Sequence, residues 1–225
     1  MNIAIIGTGS IGSTLIRRLA KAGHTVTMAN SRGPETLSDL AAETGAQAEY
    51  VSTVAADAQV IIVSIPPRAV AELPPDLLAA AVPQAFVIDT GNYVPHMRDG
   101  GIDALEGGMV ESRWTESKLH RPVIKAFNNI KAADLIALNK TEGTPGRVAL
   151  PVAGDDPAMK SMTIALVSDA GFDGVDAGGL DESWRQQPGT PVYTTNLDVA
   201  GVRDALASAA HEQTTAWRAR MVAPY

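Results

Sequence analysis

"GTGSIGSTLIRRLAKAGHTVTMANSRGPE", residues 7–35, decides the fold of this 225-residue chain. Gly7, Gly9 and Gly12 follow the apolar run "NIAII" (2–6). They open a segment of about residues 10–22 with Ile11, Leu15, Ile16 and Leu19 on one helical face. Gly23 stops that segment, and "HTVTMA" (24–29) has the composition of a strand. Strand, glycine turn, helix and second strand form the opening unit of a doubly wound α/β sheet. In such a turn the first glycine permits the tight bend, the second lets a diphosphate approach the backbone, and the third lets helix and strand pack closely. Free N–H groups and a partial positive charge at the helix start favour an anion. Residues 7–12 (Gly7, Thr8, Gly9, Ser10, Ile11, Gly12) are therefore a candidate dinucleotide cradle, with the hydroxyls of Thr8 and Ser10 as additional donors.

Outward from this unit the same rhythm continues. Pro34 suits the first turn of a helix reaching about Glu43, and a short strand is expected near 47–51. "AQVIIVSI" (58–65), "AFVIDT" (85–90) and "PVIKAFNN" (122–129) are apolar runs of the kind buried on both faces of a parallel sheet, and "RVALPVAG" (147–154) is a further candidate. Right-handed crossovers place the ends of the first, fourth and fifth strands along one rim. Beyond residue 155 the pattern changes to a helix in "DPAMKSMTIALVSDAG", a strand and turn in "FDGVDAG", and one long helix over 197–220 with Val199, Val202, Leu206, Ala209 and Ala210 on its apolar stripe. The expected architecture is α/β: a Rossmann-type doubly wound parallel sheet over residues 1–155 with a small C-terminal α/β extension, 156–225, packed on it.

A carboxylate at the end of the second strand normally accepts from the ribose hydroxyls of an unphosphorylated dinucleotide. Here that place holds Asn30, Ser31 and Arg32. A guanidinium can grip a 2′-phosphate with two parallel hydrogen bonds, and a serine hydroxyl can add a third, so NADP(H) is favoured over NAD(H). An arginine in a solvated turn is the other reading of Arg32.

Three further stretches fall on the same rim. Ser64, Ile65 and Pro66 end the fourth strand, where two prolines turn the chain outward. "DTGNY" (89–93) brings Asn92 to the end of the fifth, and "KAFNNI" (125–130) brings Ala126 and Asn128 to the end of the sixth. The small and amide side chains of "DTGNY" suit the lining of a nicotinamide pocket, and Asn128 and Asn129 suit a carboxamide or a substrate carbonyl; two consecutive asparagines also make an ordinary helix cap. Lys125 lies inside a strand, where an inward-facing lysine is unusual.

Composition limits the function. The net charge of −7 and 4% aromatic content argue against a nucleic-acid surface. The absence of cysteine excludes disulfides, thiolate nucleophiles and Cys-ligated zinc. "MNIAIIG" enters a strand directly, without the pattern of a signal peptide. The apolar runs are far shorter than the roughly 18–20 residues that cross a bilayer, so a cytoplasmic protein is expected. No Tyr-x-x-x-Lys pair is present, and His24, His96, His120 and His211 stand in no recognisable catalytic setting. Hydride exchange between two redox rings needs alignment rather than a proton donor.

The stretches "IAIIGTGSIGSTLIRRLAKAGHTV", "NSRGPETL", "VIIVSIP", "VIKAFNNI", "PVAGDDPAMK" and "GFDGVDAGGL" together resemble the NADP oxidoreductases that depend on the deazaflavin coenzyme F-420. The cytoplasmic domain of the six-transmembrane metalloreductases is similar over much of this set. The resemblance implies NADP held by the glycine turn with Ser31 and Arg32, a small-molecule acceptor of deazaflavin or flavin type, and often a homodimer. "ESWRQQPGTPVYTTNLD" (182–198) departs from it, being longer and more polar than the small apolar segment of the archaeal deazaflavin enzymes. Trp184, Arg185, Gln186, Gln187 and Tyr193 could there seat a planar ring with an acidic tail, or pack a dimer interface. The expected activity is hydride transfer between nicotinamide and a planar acceptor. An NADP-binding redox sensor or partner-protein module without turnover, and a reductase of a small imine or carbonyl, are the alternatives.

Overall fold

A computed structural model describes residues 1–220. Its centre is a six-stranded, all-parallel sheet in the order β3-β2-β1-β4-β5-β6. The strands are β1 (Asn2–Ile6), β2 (Thr25–Ala29), β3 (Gln47–Ala48), β4 (Val60–Val63), β5 (Phe86–Asp89) and β6 (Val123–Lys125). The Rossmann-type reading holds.

Register makes this sheet a platform. Ile6 lies opposite Ala29 on one side and Val63 on the other, Val63 opposite Asp89, and Asp89 opposite Lys125. The residues that leave each strand at positions 7, 30, 64, 90 and 126 therefore emerge in one row. Every stretch singled out in the sequence starts from that row.

Both faces of the sheet are covered. On one face Ile3, Ile5, Val60, Ile62, Ile88 and Ile124 pack with Leu15, Ile16 and Leu19 of helix α1 (Ser10–Lys21). On the other, Ala4, Ile61, Val63 and Val87 meet Val54, Leu77 and Trp114, the last from α5 (Glu111–Leu119). The remaining short helices of this part are α2 (Ser38–Thr44), α3 (Pro67–Val70), α4 (Asp103–Glu106) and α6 (Ala132–Ala137). Burial of each large aliphatic side chain contributes roughly 1.5–3 kcal/mol, so three such residues fix the direction of α1.

Several expected elements are redrawn. The helix from Pro34 begins as a 3-10 turn over Pro34–Leu37 and becomes α-helical only as α2, which Gly45 ends in the left-handed conformation. The strand expected near 47–51 keeps two residues. β7 (Ala149–Val152) does not extend the sheet in parallel: it pairs with β8 (Asp173–Asp176) in a separate two-stranded sheet. It touches β6 only through an antiparallel bridge between Lys125 and Ala153. The long helix over 197–220 is two helices, α8 (Val199–Ala207) and α9 (His211–Arg220). At the break the Ala210 N–H donates to Gln213 Oε1 at 2.9 Å, half of a capping box that starts a new helix. Ala209 and Ala210 consequently leave the apolar stripe, while Val202 and Leu206 stay buried.

The extension shares the core of the sheet. Leu166 and Val167 of α7 (Pro157–Asp169), together with Phe172, belong to the apolar cluster that contains Ile3 and Leu15. At the surface Arg113 of α5 bonds Asp155 at 2.8 Å and Asp181 at 2.6 Å, tying the two parts together.

Candidate functional site: a two-part cleft on the sheet rim

The glycine turn is built as its chemistry requires. Gly7 has φ +101°, and its N–H donates to the Ala29 carbonyl at 2.9 Å. A Cβ on Gly7 would fall 2.3 Å from the Ser64 carbonyl oxygen, and one on Gly12 would fall 1.9 Å from that of Gly7. Close packing within the protein thus demands both glycines. Gly9 differs. Its φ of −70° suits any residue, and a Cβ there would meet no protein atom within 4 Å. The space that a side chain at Gly9 would fill is open cleft. No side chain caps α1 and no acid stands in its first turn, so its leading N–H groups have no side-chain acceptor. A missing cap costs about 1 kcal/mol, which the buried face of α1 offsets. The donor set and the open space over Gly9 fit a dinucleotide diphosphate.

At the end of β2, Asn30 Oδ1 accepts from the Arg32 backbone N–H at 2.8 Å, and Asn30 Nδ2 donates to Thr36 Oγ1 at 3.0 Å. Asn30 thereby shapes the turn that presents its two neighbours. Ser31 and Arg32 are exposed, and among the described residues the Arg32 guanidinium has no carboxylate partner. They border a cleft of about 670 Å³ with Gly7, Thr8, Gly9 and Asn30. Its apolar side is Val51, Ile65, Ala69, Leu73 and Pro74, and Glu72 also lines it. Val51, Ala69, Leu73 and Pro74 were missed in the sequence, where nothing in a bare apolar side chain marks it as a slot for a flat ring.

Across Gly9 and the ridge Ser64-Ile65-Pro66 lies a second cleft of about 220 Å³. Ser10, Ile11, Thr90, Gly91, Asn92 and Arg98 complete it. The two clefts share Gly9, Ser64, Ile65 and Pro66, so one elongated molecule can occupy both. Arg98, also missed, pairs with buried Asp99 at 3.0 Å and donates to the Asn92 carbonyl.

Ala126 and Asn128 do not face this cleft. Both are buried, and Asn128 spends its side-chain amide within the protein, on Asn92 at 3.0 Å and on Gln186. The expectation that they touch a ligand gives way to a supporting place behind Asn92. Gly12 is likewise buried beneath the turn.

Behind the rim sits a dense polar cluster. Lys125 is only 1% exposed, and its Nζ donates to Asp89 Oδ2 at 3.1 Å and to the Gly91 carbonyl at 2.5 Å. Asp89 also accepts from Ser112 Oγ at 2.8 Å, Thr115 Oγ1 at 3.3 Å and the Gly91 N–H at 2.8 Å. The inward-facing lysine, unusual by sequence, is thus a strut under the 89–92 turn, paired with a carboxylate and a carbonyl. Beside it Glu111 accepts from the Tyr93 N–H and from Arg218, yet burial still raises its carboxyl above the usual range. Burial, reinforced by a 2.6 Å bond to Glu106, pushes the Tyr93 phenol up to about 12.

The extension closes the back. Trp184 stacks on His211 with ring centres 3.6 Å apart, the Arg185 guanidinium lies 4.5 Å from the Trp184 ring centre, and Tyr193 meets Trp217 edge-on. These aromatic groups, candidates for an acceptor seat or a dimer face, pack within their own chain.

Comparison with known proteins fits this geometry. Residues 2–93 match the family of NADP oxidoreductases described as coenzyme F420-dependent. The resemblance read from the sequence is met over those residues, which make up less than half of the chain. The Escherichia coli (strain K12) protein YjhV is 52% identical over 59 residues, 26% of this chain and 43% of that protein. The chain thus matches less than half the length of that relative. Among solved structures, hypothetical protein SMa0349 from Sinorhizobium meliloti superposes with a TM-score of 0.73 at 29% identity, over 88% of this chain and 95% of its own. A protein from Arthrobacter sp. FB24 described as a "putative F420 dependent NADP-reductase" gives 0.59 at 22% identity, over 80% and 86% of the two chains, a likeness of fold. No helix among the described residues is long and apolar enough to cross a membrane.

Proposed function

We propose that the chain binds NADP(H) across the two-part cleft and passes hydride between its nicotinamide and a planar acceptor of deazaflavin or flavin type. One observation carries the reading: the space over Gly9 is open where both protein packing and backbone conformation would accept a side chain. That opening joins the cleft bordered by Arg32 to the cleft bordered by Asn92.

The leading N–H groups of α1, with Thr8 and Ser10, hold the diphosphate. Ser31 and the carboxylate-free Arg32 take the 2′-phosphate. Val51, Leu73 and Pro74 give an apolar wall to the adenine side. Asn92 orients the nicotinamide side, and the ridge Ser64-Ile65-Pro66 lies between. The bound nicotinamide supplies the hydride. No acid–base residue is needed at the transfer when the acceptor is itself a redox ring, because the protein has only to align the two rings. A small-molecule acceptor and a homodimer, both resting on the family resemblance, complete this reading, with a cytoplasmic setting in keeping with apolar runs too short to cross a bilayer.

The deciding measurement is NADPH oxidation by the full chain against a panel of a deazaflavin, a flavin, a ferric chelate and a cyclic imine. Turnover with the deazaflavin or flavin supports hydride transfer between rings. Turnover with the imine alone moves the protein to imine reduction. NADPH binding with no turnover leaves a sensor and rejects the enzyme reading.

A further inference from the structure

We infer that Gln186, a residue of the C-terminal extension, is a positioning residue that sets the Asn92 amide for a nicotinamide carboxamide; the inference rests on the NADP reading above. Gln186 ends the 3-10 helix Leu180–Gln186 and is fully buried. Its Nε2 faces three carbonyl oxygens, Asn128 Oδ1 at 2.9 Å, Pro151 at 3.4 Å and Lys125 at 3.5 Å, which fixes the orientation of the amide. Its Oε1 is buried without a partner among the described residues.

A buried amide with an orphaned acceptor is costly, and an apolar side chain of the same shape would fill the space without that cost. The relay it anchors offers the compensation. Asn128 Nδ2 donates to the Gln186 carbonyl at 2.7 Å and to Asn92 Oδ1 at 3.0 Å, while Asn92 Nδ2 donates to the Asn128 carbonyl at 2.8 Å. Phe127, at φ +61° in the left-handed region, aims Asn128 into this relay.

Asn92 is the member that reaches the cleft. Its amide torsion is broad and nearly two-fold when free, so unaided it would present either face. With one N–H and one lone pair held from behind, a second N–H and a second lone pair remain on the same amide. Either one can bond a primary carboxamide, the N–H to its oxygen or the lone pair to its amino group.

Calorimetric titration of the full chain with NADP⁺ and with 2′,5′-ADP, which lacks the nicotinamide half, tests the assignment. Gln186→Met should weaken NADP⁺ about tenfold and leave 2′,5′-ADP within about twofold. In an Asn92→Ala background the same substitution should add less than about twofold, since it acts through Asn92. Equal losses for both ligands, an unchanged NADP⁺ affinity, or full additivity with Asn92→Ala would overturn the role. Should Gln186→Met melt below the assay temperature, Asn128→Asp removes the donor to Asn92 and carries the same two-ligand comparison. Wild-type protein that binds 2′,5′-ADP but gains nothing from the nicotinamide half overturns this inference alone. Wild-type protein that binds neither overturns the NADP reading with it.

Discussion

The two halves of the cleft are built on opposite plans. On the side of Gly9 and Arg32 the polar groups are left open: an uncapped helix start, exposed Ser31, and a guanidinium without a carboxylate among the described residues. On the side of Asn92 nearly every polar group is already engaged, through Asp89, Lys125, Asn128 and Gln186. The first half is a set of unused donors that a phosphate completes. The second is an internal network, unpartnered at Gln186 Oε1 among the described residues, that offers one amide to the cleft. Substitution of an open polar group on the first side should therefore cost affinity, and loss of a buried charge on the second should cost folding.

Lys125→Met gives the largest expected effect. Removing one member of a buried pair costs roughly 3–5 kcal/mol, with the lower end expected here because Asp89 keeps Ser112, Thr115 and the Gly91 N–H. Urea unfolding measures it, and a loss below about 1 kcal/mol would break the contrast between the halves.

Arg32→Glu should weaken NADPH binding roughly 30- to 100-fold, the range of a lost charge-assisted contact, while NADH stays within about threefold. Parallel fluorescence titrations decide it; equal losses for both dinucleotides would remove Arg32 from the phosphate site.

The smallest and sharpest test sets two glycines of one turn against each other. Gly12→Ala places a methyl 1.9 Å from a backbone oxygen and should cost about 2–3 kcal/mol of stability. Gly9→Ala should change stability by no more than about 0.5 kcal/mol yet weaken NADPH about tenfold. Melting curves with and without NADPH separate the two, and a Gly9→Ala protein that binds normally would empty the diphosphate assignment.

Legibility followed the range of the interactions. β1, α1, β2 and the glycine turn were readable because three glycines and a 3.6-residue stripe act within some twenty residues of chain. The rim was readable too, since a parallel sheet lines up its strand ends whatever connects them. Where β7 went was not: "RVALPVAG" has the composition of a central strand, and its pairing with β8 depends on how the chain returns after α6. The break at Ala209-Ala210 left one local trace, Gln213 three residues beyond Ala210, which an unbroken alanine-rich pattern outweighed. Asn128 and Lys125 were found as residues but not in their roles. A side chain's partners lie 36 and 58 positions away, beyond any periodicity.

The margins of the main sheet bear on how such a chain could associate. One outer strand, β3, offers only two paired residues, and the other, β6, is already met by the bridge from Ala153. Little free ladder is left as a template for another strand, a common defence against edge-to-edge aggregation. The margins of the main sheet thus give two copies of this protein little to share, which turns association toward its helices and loops.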